Sequence, residues 1–158
     1  MVQTKAPTVY AEGEEQQTCS KCGEKNTKSI PKLPMPKVVI QNFTSSSKAY
    51  DYRSTVTFKA TVENPLSGGQ IHWFVDGKDV HTGDTYTAEN VKQGFSLQAK
   101  YYVDGKEIPE AATETEKVNV NTGFFAKLKA FFRGLFGKLP KVVQEYLGIE
   151  IIDRVLPD

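Results

Sequence analysis

The chain has 158 residues, 39% of them hydrophobic and 25% charged, with a formal net charge of +1. That length holds one ordinary domain with appendages or two small ones, and the composition is globular rather than disordered. The near-neutral balance gives no global attraction to nucleic acid or acidic polymers, so nucleic acid is not an expected partner and any electrostatic function must come from a local cluster.

Residues 1–36 are polar and punctuated by Gly13, Gly23, Pro31, Pro34 and Pro36. The start, Met1-Val2-Gln3-Thr4-Lys5, has no apolar stretch behind it and is not a signal peptide. The only cysteines, Cys19 and Cys22, lie in this part, with strand- and turn-like neighbours that predict a small β-hairpin-like unit. Ile30-Pro31-Lys32-Leu33-Pro34-Met35-Pro36 cannot be helix, because each proline lacks a donor and holds its predecessor extended; it reads as a stiff linker.

Residues 37–121 read as β throughout. Val38 and Ile40 supply a first strand. In Thr55-Val56-Thr57-Phe58-Lys59-Ala60-Thr61-Val62 the even positions are apolar and the odd ones polar, the period of a strand with one buried face. Ile71, Trp73 and Val75 alternate likewise and leave His72 and Phe74 on the other face. Phe95, Leu97, Ala99, Tyr101 and Val103 form a further inward set, and Val118 and Val120 a last strand. His72-Trp73-Phe74-Val75-Asp76-Gly77-Lys78-Asp79-Val80 and Lys100-Tyr101-Tyr102-Val103-Asp104-Gly105-Lys106-Glu107-Ile108 share one pattern, a strand, an Asp-Gly turn and a short return. Asp-Gly suits a two-residue hairpin because both residues tolerate positive φ. About seven short strands with turns every 8 to 12 residues predict an immunoglobulin-like β-sandwich without the inter-sheet disulfide, its core built on Trp73, Val56, Phe58, Leu97 and Tyr101.

Residues 122–158 change period and predict a C-terminal amphipathic helix. Phe124, Phe125, Leu128, Phe131, Phe132, Leu135, Phe136 and Leu139 follow the spacing of one helix face, with Lys127, Lys129, Arg133 and Lys138 on the other. Asn121 or Thr122 can cap the start; Pro140 stops the helix or begins another through Lys141 to Leu147, which Gly148 would end. Ile149 to Leu156 is apolar enough to pack.

Tyr50-Asp51-Tyr52-Arg53-Ser54-Thr55-Val56-Thr57-Phe58, Ile71-His72-Trp73-Phe74-Val75-Asp76-Gly77, and Thr122-Gly123-Phe124-Phe125-Ala126-Lys127-Leu128 through Phe136-Gly137-Lys138-Leu139-Pro140 together resemble the C-terminal immunoglobulin-like modules of large secreted and surface proteins of Gram-positive anaerobes. The likeness covers roughly residues 48–143. Lys5-Ala6-Pro7-Thr8, Glu12-Gly13, Thr18-Cys19-Ser20-Lys21-Cys22-Gly23 and Ile30-Pro31 resemble part of a different repeat in the same proteins, which usually carries a further cysteine where Val9 stands and often an upstream histidine. The resemblance implies a bacterial secreted or surface location, with the export signal upstream of this piece, and other domains of the same large protein as partners.

Cys19-Ser20-Lys21-Cys22 as half a zinc ribbon would need two more ligands, and the chain offers only His72 and His81 besides, both inside the β pattern; no cofactor is expected. A redox motif would want a helix N-terminus to acidify the thiol. Outside the cell a local Cys19–Cys22 disulfide is the preferred reading. His72 and His81 read as solvated surface residues. The absence of Gly-x-Ser-x-Gly, His-Glu-x-x-His or a phosphate-cradling glycine loop argues against an enzyme.

Three non-catalytic functions remain open. The chain can be a spacer and adhesion or protein-interaction unit. It can be a membrane-surface anchor, since Phe124, Phe125, Lys127, Leu128, Lys129, Phe131, Phe132, Arg133, Leu135, Phe136 and Lys138 form a basic Phe-rich helix suited to an anionic membrane or a partner groove. Phe74 and Tyr102, on the outer face, can stack a glycan, of the cell wall for example, unless the helix covers them.

Overall fold

The computed structural model describes residues 2–41, 43 and 49–136. The segment Lys141–Leu147, the apolar Ile149–Leu156 and the contact residue Lys138 lie outside the described residues.

The N-terminal unit is a three-stranded antiparallel sheet rather than a lone hairpin. Strands β1 (Val2–Lys5), β2 (Gly13–Thr18) and β3 (Lys25–Ile30) pair in that order. Gly13 sits where Pro7 N and Lys5 O would stand 2.6 and 2.7 Å from a Cβ, so only glycine lets the return loop close on β2. This sheet has almost no buried side chain of its own. It is tied to the rest of the chain by Leu33 N–H donating to Thr8 O at 3.0 Å, by Val9 packing against the main core and by Tyr10 Oη donating to Glu110 Oε2 at 2.8 Å.

The body is an immunoglobulin-like β-sandwich. Its strands are β4 (Lys37–Gln41), β5 (Tyr50–Asp51), β6 (Ser54–Glu63), β7 (Gly69–Val75), β8 (Lys78–Thr82), β9 (Thr85–Val91), β10 (Phe95–Val103), β11 (Lys106–Ile108), β12 (Glu116–Val118) and β13 (Val120–Asn121). One sheet runs β4-β6-β9 and the other β11-β10-β7-β8. Strand β12 shares the β11 side of β10, pairing with Phe95–Leu97 while β11 pairs with Tyr101–Val103. Strands β5 and β13 form a short parallel bridge.

Period-2 alternation produces the core directly. Val56, Phe58 and Ala60 of β6 are buried, their odd-numbered neighbours are not, and they face Ile71 and Trp73 of β7 and Leu97, Ala99 and Tyr101 of β10. Phe58 is the hub, with the rings of Phe43, Tyr50, Trp73, Tyr86 and Phe95 centred 5.5–6.4 Å away. Trp73 is fully buried, and its Nε1–H donates to Gly83 O at 2.8 Å, so the indole brings no unmet donor into the core. Both Asp-Gly hairpins form as expected: φ is +48° and +77° at Asp76 and Gly77, and +49° and +76° at Asp104 and Gly105. Asp76 does more than turn, since its Oδ1 accepts from Ser96 N–H at 2.8 Å and from Ser96 Oγ at 3.0 Å, pinning the hairpin to the start of β10.

Helix α1 (Phe124–Phe136) follows β13 directly, and the Asn121 side chain accepts from Gly123 N–H at 3.1 Å ahead of it.

Candidate functional site

Three surfaces carry chemistry beyond the core. The first is α1. Phe124, Phe131 and Leu135 share one stripe and are 73%, 57% and 56% exposed; Phe125 is 48% exposed. Leu128, Lys129 and Phe132 are half-buried, and Ala130 is the buried residue of the helix. The side bearing Ala126, Lys129 and Ala130 is the covered one; Lys127 and Arg133 are exposed, with Arg133 Nη1 3.4 Å from Asp51 Oδ2 and Lys127 Nζ 6.0 Å from the Tyr52 ring. Arg133 and Lys127 thus reach the β5–β6 corner from the edge of the helix, while Phe124, Phe125 and Phe131 stay exposed. Covering of the outer β10/β7 aromatics by this helix, one of the sequence expectations, does not occur among the described residues. The reason is connectivity, because only Thr122 and Gly123 separate α1 from β13, beside β5, and Arg133 finds Asp51 there.

The second surface is the outer face of β7, β8, β10 and β11. Alternation turns His72, Phe74, Lys100 and Tyr102 outward, and the register sets Lys100 opposite His72. Here His72 is not simply solvated. Its Nδ1 is 2.8 Å from Asp79 Oδ2, and its ring is centred 4.4 Å from that of Tyr102. Lys100 Nζ lies 4.7 Å over the Phe74 ring and pairs with Glu107 Oε1 at 3.0 Å; Tyr102 Oη donates to Glu107 Oε2 at 3.1 Å. Partial burial, then the Glu107 hydrogen bond, raise the Tyr102 phenol above its ordinary range. Thr82 Oγ1 also approaches His72, at 3.4 Å, but on the same Nδ1 that meets Asp79. A relay needs the two imidazole nitrogens to face different partners, so the Thr-His-Asp trio is not arranged as a nucleophile, base and orienter. Each aromatic ring on this face is already engaged by a cation or an imidazole.

The third surface is the β2–β3 turn. Cys19 N–H donates to Glu24 O at 2.8 Å and Gly23 N–H to Cys19 O at 2.9 Å, with Gly23 at φ +71°. The two cysteines are exposed free thiols in the structure, in place of the expected disulfide. The Cys19 thiol is held below its ordinary range, first by a hydrogen bond from the Cys22 thiol and then by the main-chain N–H groups of Cys22 and Lys21. Among the described residues no group of three or more His, Cys, Asp and Glu side chains could hold a metal ion.

The sequence pointed to α1 and the cysteines. It missed Asp51 and Tyr52 as the seat of the helix, and the Asp79–His72–Tyr102 cluster. Alternation put these rings on one face, but cross-strand register, which makes them neighbours, is not written in either strand alone. Among the described residues no helix is long and apolar enough to cross a membrane.

Comparison with protein-family models gives no match, and neither does comparison with curated proteins. Among solved structures the chain is similar to one described as "Structures of Clostridium thermocellum CbhA fibronectin(III)-like modules", with 16% identity, a TM-score of 0.38, and coverage of 69% of this chain and 60% of that one. The chain therefore spans less than two thirds of that structure's length, and its sandwich fold stands on the strand order and the two-sheet core described above.

Proposed function

We propose that this chain is a non-catalytic interaction module of a larger exported or surface-attached protein, and that it engages a neighbouring protein surface through the apolar stripe of α1. The observation that carries this reading is the exposure of Phe124, Phe125, Phe131 and Leu135 on a helix whose covered side is that of Ala126, Lys129 and Ala130. A helix of this kind fits an apolar groove by anchors at i, i+7 and i+11. Leaving such side chains in water forgoes about 1.5–3 kcal/mol each, and their burial by a partner recovers it.

A membrane-surface anchor is the second reading, favoured by Lys127, Lys129 and Arg133 standing among the phenylalanines. It is weakened by the pairing of Arg133 with Asp51, which holds one cation on the side opposite the exposed stripe. Glycan stacking on Phe74 and Tyr102 would first have to displace Lys100 and His72 from their rings.

The triple substitution Phe124→Ser, Phe131→Ser, Leu135→Ser tests the assignment. An interaction stripe predicts an unfolding midpoint within about 0.5 kcal/mol of the parent chain, as for surface substitutions generally, together with loss of retention on a phenyl matrix. A loss of several kcal/mol would mean that the stripe packs internally, and the reading would fail. Co-sedimentation with phosphatidylglycerol vesicles that falls steeply between low and high salt would favour the membrane reading instead.

A further inference from the structure

We propose that β9 is a self-pairing edge: two copies of this chain join β9 to β9 in antiparallel register, with Thr87 of each copy at the twofold axis. The sheet β4-β6-β9 ends at this strand. Main-chain polar groups alternate in direction along an antiparallel strand, and Ala60 N–H donating to Asp84 O at 2.8 Å sets the phase. Tyr86 and Ala88, opposite Phe58 and Val56, therefore bond to β6, and the N–H and C=O groups of Thr85, Thr87 and Glu89 point away from the sheet. The 3.1 Å approach of the Thr57 and Thr87 hydroxyls fits the closer side-chain spacing of a pair that exchanges no main-chain bonds. Among the described residues no main-chain partner meets the outward groups of Thr85, Thr87 and Glu89.

The longer edges elsewhere among the described residues are guarded. Strand β8 carries Lys78 and Asp79 and is bulged at Val80. Strand β3 carries Lys25 and Lys28, and β1 ends at Lys5 after a register shift. Strand β4 follows Pro36 and runs beside β10 and the turn Pro109–Ala111. Charges, prolines and bulges are the devices by which edges avoid pairing. Thr85-Tyr86-Thr87-Ala88 has none of them and is rich in strand formers.

The register identifies the occupant. Pairing about Thr87 sets Thr87 against Thr87 and Thr85 against Glu89 of the second copy, so all three outward residues of each chain meet outward residues of the other. Moving the axis to Tyr86 would set Glu89 against Gly83, whose N–H is already given to Ile71 O. Moving it to Ala88 would set Thr85 against Val91, whose carbonyl already accepts from Arg53 N–H. On the inner face the Thr87 axis places Tyr86 against Ala88 of the second copy, a large side chain against a small one, and no like charges oppose each other. Beside the edge lies an open groove of about 510 Å³ lined in part by Val75, Tyr86, Ala88, Val91 and Phe95, in which Tyr86 and Phe95 are only half-buried. The added strand runs along that groove and shields both rings. None of these residues belongs to the α1 stripe. An interface of one strand edge and one groove falls at the small, weak end of protein–protein contacts, so the dimer is expected to form reversibly with concentration.

Sedimentation equilibrium from about micromolar to about millimolar concentration tests this. The full chain carries Phe124→Ser, Phe131→Ser and Leu135→Ser, so that association cannot come from the apolar stripe of α1. A monomer–dimer equilibrium is expected. Adding Thr87→Pro removes the outward N–H at the axis and no bond to β6; the dimer should be lost while far-ultraviolet circular dichroism is retained. Thr87→Val, which leaves the main chain intact, should dimerise as before. A second measurement does not depend on proline being tolerated. Thr87→Cys in a chain with Cys19→Ser and Cys22→Ser should form a disulfide-linked dimer on mild oxidation, because Cα atoms of a hydrogen-bonded pair stand about 5.5 Å apart, within the span of a disulfide. Thr85→Cys in the same background should not, since its two cysteines would stand about 13 Å apart along the strands. A chain that stays monomeric at the highest concentration, a dimer indifferent to Thr87→Pro, or equal cross-linking at the two positions would overturn the proposal.

Discussion

Gly69 opens β7 directly beneath Tyr101. A Cβ there would lie 1.7 Å from Tyr101 Oη, 2.2 Å from Cζ and 2.8 Å from Cε2, distances no pair of atoms can hold. Tyr101 is buried in the core and has no free direction in which to yield. Its hydroxyl accepts from Leu66 N–H at 2.9 Å and donates to Leu66 O at 3.2 Å, so the displaced ring would also abandon the loop between β6 and β7. Gly69 is not in the left-handed region, so alanine suits the backbone and gains about 0.4–1 kcal/mol by restricting the unfolded chain. Against that stand overpacking at about 1–3 kcal/mol and two hydrogen bonds at about 1 kcal/mol each. The net is a destabilisation of about 2–4 kcal/mol for Gly69→Ala. Urea unfolding followed by the fluorescence of the single, fully buried Trp73 measures it. Tyr101→Phe alone should cost about 2 kcal/mol. The double variant should cost less than the sum, since removing Oη relieves the nearest clash but not the one with Cζ. A Gly69→Ala chain within about 0.5 kcal/mol of the parent would refute the close approach and the packing derived from it.

Trp73→Phe removes the donor to Gly83 and leaves a void against Phe58; a loss of about 2–4 kcal/mol is expected, read in the same way by circular dichroism. Asp76→Ala deletes both bonds to Ser96 and the aspartate's tolerance of positive φ, and should lower stability by about 1–3 kcal/mol while Asp76→Asn recovers part of it. The Tyr10–Glu110 bond attaches the N-terminal sheet between the two extremes of the pH scale and is lost at both. The Tyr10 hydrogen bond lowers the Glu110 carboxyl, so its contribution is present above the ordinary carboxyl range and is lost as pH falls through the lowered value. The same bond raises the Tyr10 phenol, so its contribution is present below about pH 10 and is lost as pH rises through the raised value. The protection of β1 to β3 amides, taken relative to intrinsic exchange at each pH, should fall at both extremes, and Tyr10→Phe should abolish that dependence; protection constant with pH in the parent chain would count against the attachment. Arg133→Ala should change stability by less than about 1 kcal/mol, because its pair with Asp51 is half-exposed and long, with helicity as the readout.

The sandwich was legible from the sequence because burial on one face of a strand imposes a period of two, and six residues of β6 or β10 suffice to display it. The Asp-Gly turns were legible because positive φ is affordable to few residue pairs, and both take it here. The helix announced itself by the switch to 3,4 spacing after Asn121. These are local signals, each carried by a handful of consecutive residues. Which side of that helix faces the protein is not local. Its apolar stripe reads alone as the side to be buried, yet with Asp51 placed by the β5–β13 bridge some 70 residues away in the chain, Arg133 meets Asp51 while Phe124, Phe131 and Leu135 stay exposed. The closed turn around Cys19 was equally out of reach, because residue spacing does not show that Cys19 N–H would meet Glu24 O and Gly23 N–H would meet Cys19 O. Pattern within a strand or helix determined the elements and the buried face of the sheets; the pairing of distant segments alone decided which surfaces were left to act.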